Sequence, residues 1–145
     1  MERSGTVRIV ARVLPNPGYA MNEVADHGIR FGRIAAMLPV KDMAKASAFY
    51  IEVLGFTKTF ENGTPVGFMI LERDEAELHL TLQPNHKAAP FNVAHLMVSD
   101  VDALHAICQQ HGPHIIKGLR DKDYGLRAFV FADPDGNRID VGQPL

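Results

Sequence analysis

Three side chains in this sequence stand where their types and neighbours invite chemistry: His79, His95 and Asp140. In Leu78-His79-Leu80-Thr81-Leu82, alternation with period two puts the leucines on one face and the histidine on the other. The imidazole therefore leaves the greasy layer, either for a polar cleft or for an ordinary hydrogen bond on the sheet. His95 lies between Ala94 and Leu96 and shares a mixed face with Val93 and Met97. Asp140 sits between Ile139 and Val141, an acid on an apolar strand, and if buried it needs a hydrogen bond, a cation or a metal. Arg127 on the neighbouring strand is one partner, which would make the pair structural; ligand contact is the alternative for both. His105, His111 and His114 fall on or just after a helix, on its solvated side, and His86 falls in a loop. Cys108 lies on the apolar stripe of that helix and reads as a core thiol. No glycine-rich phosphate loop, nucleophile elbow or Ser/His/Asp signature is present.

The elements that must position these groups fit in one compact domain, since 145 residues with 46% hydrophobic content build one proper core and not two. A formal charge of −2 offers no basic field for nucleic acid or an anionic membrane, and neither partner is expected. The single cysteine rules out an intramolecular disulfide and suits a reducing compartment. No apolar run approaches the roughly 18 residues of a membrane span, and the N-terminus lacks a signal peptide's apolar region, so a cytoplasmic location is expected.

Residues 1–33 differ from the rest, with Arg3, Arg8, Arg12, Arg30 and Arg33 scattered through them and a turn at Asn16-Pro17-Gly18. They form an arm or extension, in which Val7 to Val13 alternates as a short edge strand would. From Ile34 an apolar run to Val40 meets Asp42, a helix N-cap. Met43, Ala46, Phe49, Tyr50, Val53 and Leu54 then mark one helical face, with Gly55 at its end. Strands follow at Phe56 to Glu61, Val66 to Glu72 and Ala76 to Gln83. After a loop the order begins again: strand Val93 to Val98, N-cap Asp100, a helix closed by Gly112-Pro113, a weak extended stretch at Ile115 to Lys117, strand Arg127 to Ala132, the turn Asp133-Pro134-Asp135-Gly136, and strand Asn137 to Gly142.

The recurrence is literal. A shift of 58 residues carries Val40-Lys41-Asp42 onto Val98-Ser99-Asp100, and a shift of 61 carries Leu78-His79-Leu80 onto Ile139-Asp140-Val141. The expected fold is therefore α+β: two βαβββ repeats, at about 34–83 and 92–143 of a single domain 34–145, with curved mixed sheets forming a cleft and helices on the outer faces.

Gly125-Leu126-Arg127-Ala128-Phe129, then Asp133-Pro134-Asp135-Gly136-Asn137-Arg138-Ile139-Asp140, resembles the closing hairpin of bleomycin-resistance-like members of the glyoxalase/bleomycin-resistance/dioxygenase (vicinal oxygen chelate) superfamily. Val40-Lys41-Asp42-Met43, Phe49-Tyr50 and Leu54-Gly55-Phe56 are similar to its first unit. The resemblance implies that metal-dependent members would place four ligands here at Ala35, His79, Val93 and Asp140, two of which cannot bind a metal. His95 shares the face of Val93, so a register shift would give a set of His79, His95 and Asp140, the two-histidine, one-carboxylate pattern that suits non-haem iron.

The resemblance thus implies a metal-free protein of the bleomycin-resistance type, with no cofactor, that sequesters an antibiotic or metabolite in a cleft lined by Met37, His79, His95, Tyr124, Arg127, Phe129 and Asp140. It also implies a homodimer that exchanges an arm or a whole unit. The alternative is a lyase, isomerase or dioxygenase using a divalent metal on His79, His95 and Asp140.

Overall fold

The structure, a computed structural model, describes residues 27–145. The chain divides into two units, Met1–Arg33 and Ile34–Leu145. The edge strand expected at Val7 to Val13 and the turn at Asn16 lie outside the described residues.

In the second unit the order is β1 (Ala36–Val40), α1 (Met43–Ala48) continued by a π-helical turn (Phe49–Val53), β2 (Thr57–Asn62), β3 (Phe68–Arg73) and β4 (Ala76–Leu82). It recurs as β5 (Asn92–Met97), α2 (Val101–His111), β6 (His114–Asp121), β7 (Leu126–Ala132) and β8 (Arg138–Pro144). Two four-stranded sheets result, ordered β1-β4-β3-β2 and β5-β8-β7-β6. In each the first and last strands of a repeat pair parallel and the others antiparallel, the βαβββ signature.

Both helices start the same way. The Asp42 carboxylate accepts from the Lys45 N–H and the Asp100 carboxylate from the Ala103 N–H, each at 3.0 Å. Each satisfies a backbone donor that the first helical turn leaves unpaired, a contribution of about 1 kcal/mol. The first helix widens after Ala48, with Leu54 N–H bonding to Phe49 C=O five residues back. That turn places the consecutive rings of Phe49 and Tyr50 both in the core. Helix α2 closes at Gly112, whose φ of +87° is the left-handed conformation only glycine adopts without strain.

One core joins the two repeats. Leu38, Val40, Leu78 and Leu80 meet Phe129, Phe131, Ile139 and Val141 in a single cluster with the inner residues of both helices. Phe49 packs on Phe131 with ring centroids 6.0 Å apart. A polar staple reinforces this seam. Asp133 accepts from the Tyr50 hydroxyl at 2.7 Å and from the Asn137 amide at 3.0 Å, while Asn137 also donates to Pro39 C=O at 2.9 Å. Lys41 N–H donates to Asp135 at 2.7 Å, so the turn after β7 is bound to the end of β1.

Strand β6 is longer than the three extended residues expected at Ile115 to Lys117. Two irregularities in its pairing with β7 disturb its alternation, and it runs at the sheet edge with a polar sequence, so its residues carry no clean period. Among the described residues, no helix is long and apolar enough to cross a membrane.

Candidate functional site

Each sheet lays one face on the core, and among the described residues no helix packs on the other. Strand pairing decides which side chains share that helix-free face, since directly opposed residues point the same way. On the first sheet, Met37 lies beside His79, His79 beside Ile70 and Ile70 beside Phe60; in the next row Pro39, Thr81 and Phe68 are opposed. On the second sheet, His95 lies beside Asp140, Asp140 beside Val130 and Val130 beside Lys117; Met97, Gly142, Ala128 and Arg120 form the next row. The shifts of 58 and 61 residues carry the pair Met37/His79 onto His95/Asp140, so the same place is built twice with different donors.

The first of these faces is aromatic. Phe60, Phe68 and His79 form a chain of edge-on contacts, with centroids 6.1 Å apart for the two phenyl rings and 5.4 Å for Phe68 and His79. His79 Nε2 bonds to the Glu77 carboxylate at 2.7 Å, which fixes the ring. The Thr81 hydroxyl is buried in the row of Phe68 and has no hydrogen-bond partner among the described residues. Phe60 and Met37 are half exposed.

On the second face His95 Nδ1 bonds to Asp140 Oδ2 at 2.8 Å, and its Nε2 faces the Met97 sulfur at 3.1 Å. Gly142 adjoins the pair: a Cβ there would lie in ordinary contact with it, 3.5 Å from the imidazole and 3.7 Å from the sulfur, and more tightly, at 3.1 Å, against the Leu126 side chain. Two adjoining crevices of about 360 and 460 Å³ open at the seam between the repeats, with Met97 on the wall of both and Glu75 at their rims.

Met37, His79, His95 and Asp140 thus lie on helix-free faces, whereas Arg127 and Phe129, expected beside them, do not. Phe129 is in the core and packs on His105 of α2 with centroids 4.9 Å apart. Arg127 leaves on the same side and reaches Asp102 on α2 and Asp121 on β6, each at 3.0 Å. These two carboxylates hold its guanidinium pKa above the ordinary arginine value. Asp140 therefore takes His95 and not Arg127 as its partner. Tyr124 stands exposed in the turn before β7. The side chains that the sequence reading missed are Phe60, Phe68, Glu77 and the role of Met97; the alternation of Phe68 and Ile70, matched in antiparallel register to that of His79 and Thr81, is the signal that places the aromatic pair.

Residues 30–141 match the Glyoxalase/Bleomycin resistance protein/Dioxygenase superfamily, and the chain belongs to that family. No curated protein matches it significantly in sequence. Among solved structures, it is similar to a bleomycin-binding protein complexed with bleomycin, at 26% identity over 79% of this chain and 100% of that one, with a TM-score of 0.67. It is similar to the bleomycin resistance determinant encoded on the transposon Tn5, at 26% identity over 79% of this chain and 98% of that one, with a TM-score of 0.68. TnmS3, an antibiotic binding protein from Streptomyces sp. CB03234, is 27% identical over 81% of this chain and 99% of its own length, with a TM-score of 0.66.

The residues present do not fit the metal centre of the family's metal-dependent members. Ala35 and Val93 have no donor atom, and His79 and Asp140 are engaged by Glu77 and His95 on two separate sheets. The set of His79, His95 and Asp140 is not gathered: among the described residues, no three His, Cys, Asp or Glu side chains come close enough to hold a metal ion.

Proposed function

We propose that this chain is a binding protein of the bleomycin-resistance type, which sequesters an antibiotic or metabolite with a planar aromatic part and uses no metal at the family's ligand positions. The observation that carries this reading is the aromatic row Phe60, Phe68 and His79 on a sheet face that no helix covers among the described residues. A flat ring laid on such a row gains apolar burial and edge contacts of about 0.5–1.5 kcal/mol per aromatic pair. Relatives at 26–27% identity include two that are described as binding bleomycin or an antibiotic, which supports the same class of ligand here.

The protein works as a homodimer. Half-exposed Met37 and Phe60 on the first sheet leave apolar surface for a second copy to cover, which turns an open floor into a cleft. Residues 1–33 supply the arm that is exchanged in this assembly.

The chain has no tryptophan, so calorimetry is the suitable assay. Chelator-treated protein titrated with metal-free bleomycin and a panel of aromatic antibiotics should show saturable binding at one site per subunit, and sedimentation should show a dimer. Absence of saturable heat across the panel, or a stoichiometric transition metal in untreated protein that His79→Ala removes, would overturn the reading.

A further inference from the structure

We propose that His95 and Met97 form a chelating site for a soft univalent cation, copper(I) or its analogue silver(I), with Asp140 orienting the imidazole. The site lies on the second sheet and does not depend on the aromatic row or on any organic ligand.

An ionised carboxylate only accepts hydrogen bonds, so the 2.8 Å contact between Asp140 Oδ2 and His95 Nδ1 places a proton on Nδ1. In the neutral imidazole, Nε2 then carries a lone pair, and that lone pair faces the Met97 thioether sulfur, itself an acceptor, across 3.1 Å. Two electron-rich atoms directed at each other call for an electrophile between or beside them. A proton on Nε2 is one answer; a soft cation is the other. With bonds as long as those zinc makes, about 2.0 Å to nitrogen and about 2.3 Å to sulfur, a separation of this size subtends about 90° at a metal, a chelate angle that suits a cation with further ligands beside these two.

Three further features suit the site to a metal. Carboxylate, imidazole and metal in series is the usual arrangement around a histidine ligand, because the second ring nitrogen must be held for the first to donate well. Thioether and imidazole together favour a soft cation such as copper(I) over calcium or magnesium, which take oxygen donors. The pair is accessible, with Met97 47% exposed and the His95 side chain 44% exposed. Because His95 and Met97 are two apart on one strand, β5 alone sets their spacing. Two protein donors leave the remaining coordination positions of the cation free.

The test uses the full chain and silver(I) or, under anaerobic conditions, copper(I) against a chromophoric copper(I) chelator. The chain holds 7 histidines and 6 methionines, so the readout must be local: the methyl carbon of Met97 and the Nε2 resonance of His95 on addition of one equivalent of silver(I). Both should shift together and saturate at one equivalent. Met97→Leu and His95→Gln should each weaken copper(I) binding at least tenfold, and Asp140→Asn about 10- to 100-fold through loss of the orienting carboxylate. His111→Gln, which removes an exposed imidazole at the end of α2, should leave affinity unchanged. If Met97→Leu binds copper(I) as tightly as the parent, or the Met97 methyl does not move, His95 carries a proton on Nε2 and donates it to the sulfur, and the proposal is wrong. Bleomycin plays no part in the assay, so failure here and failure of the antibiotic-binding reading are separate results.

Discussion

The hydroxyl of Tyr50 donates to Asp133 across 2.7 Å, and with this bond the helix of the first repeat holds the last turn of the second. Burial is the main cause that raises the Asp133 pKa above the ordinary aspartate value; the bonds from Tyr50 and Asn137 work against it. The Tyr50 phenol is in turn held well above its usual pKa, first by burial and then by the Asp133 charge. A buried acid with a raised pKa contributes stability that is fully present below its unfolded value and is lost as pH rises through the folded one. Tyr50→Phe removes a donor from the ionised carboxylate and should raise the Asp133 pKa further. The variant should lose about 1–3 kcal/mol at neutral pH, and the deficit should shrink by about pH 4, because Asp133, with its raised pKa, takes up its proton above the ordinary aspartate range. Urea denaturation at both pH values is the measurement; an equal deficit at the two would show that the bond does not depend on the charge.

Glycines on two turns should respond differently to alanine. Gly125, at φ +93°, has no atom within 4 Å of an added Cβ, so Gly125→Ala carries only backbone strain of about 1 kcal/mol. Gly136, at φ +83°, would bring its Cβ to 2.7 Å from the Ala88 methyl, in the loop that connects the repeats. Gly136→Ala should therefore cost more, about 2–3 kcal/mol, unless that loop moves. Thermal denaturation of the two variants side by side decides the order.

Much of this architecture was legible in the chain. The two shifts that align the repeats recur in the structure as two N-capped helices and two parallel strand pairs in equivalent register, because caps and alternation are local and write themselves into neighbouring residues. Pairing register is not local. Nothing near Ala35 or Val93 shows that Met37 and His95 are the residues opposed to His79 and Asp140, and the sheet decides this by long-range contact. Phe129 and Arg127 were assigned to the wrong face for a related reason: every side chain of β7 from Leu126 to Ala132 is at least partly buried, so its sequence does not alternate. Only the position of Asp102 on α2 shows which way Arg127 turns.

Cys108 gives a check on the core that involves no ligand. Burial pushes its thiol up to about 11, so at about pH 8 the native protein holds almost no thiolate, the reactive form. Iodoacetamide should modify Cys108 slowly in native protein and rapidly in urea. Fast modification of the folded chain would mean that the layer between α2 and its sheet opens readily.

Loss of the aromatic row should separate binding from folding. Phe68 touches both Phe60 and His79, and Phe68→Ala should weaken binding of an aromatic antibiotic by about tenfold or more, as loss of a central anchor does. Phe60→Ala, at a half-exposed position, should weaken it less while leaving the melting temperature almost unchanged. Equal affinity in the parent and in Phe68→Ala would move the ligand away from this face.

The alternation of β1, β4, β5 and β8 also has a consequence for how this chain tolerates change. Residues of one parity, such as Leu38, Leu80 and Val141, are locked into the shared core, while Met37, His79, His95 and Asp140 of the other parity lie outside it. A library randomised at those four codons samples two chemically independent floors on an unchanged frame. The duplicated fold is thus a ready scaffold for selecting new specificities, one sheet at a time.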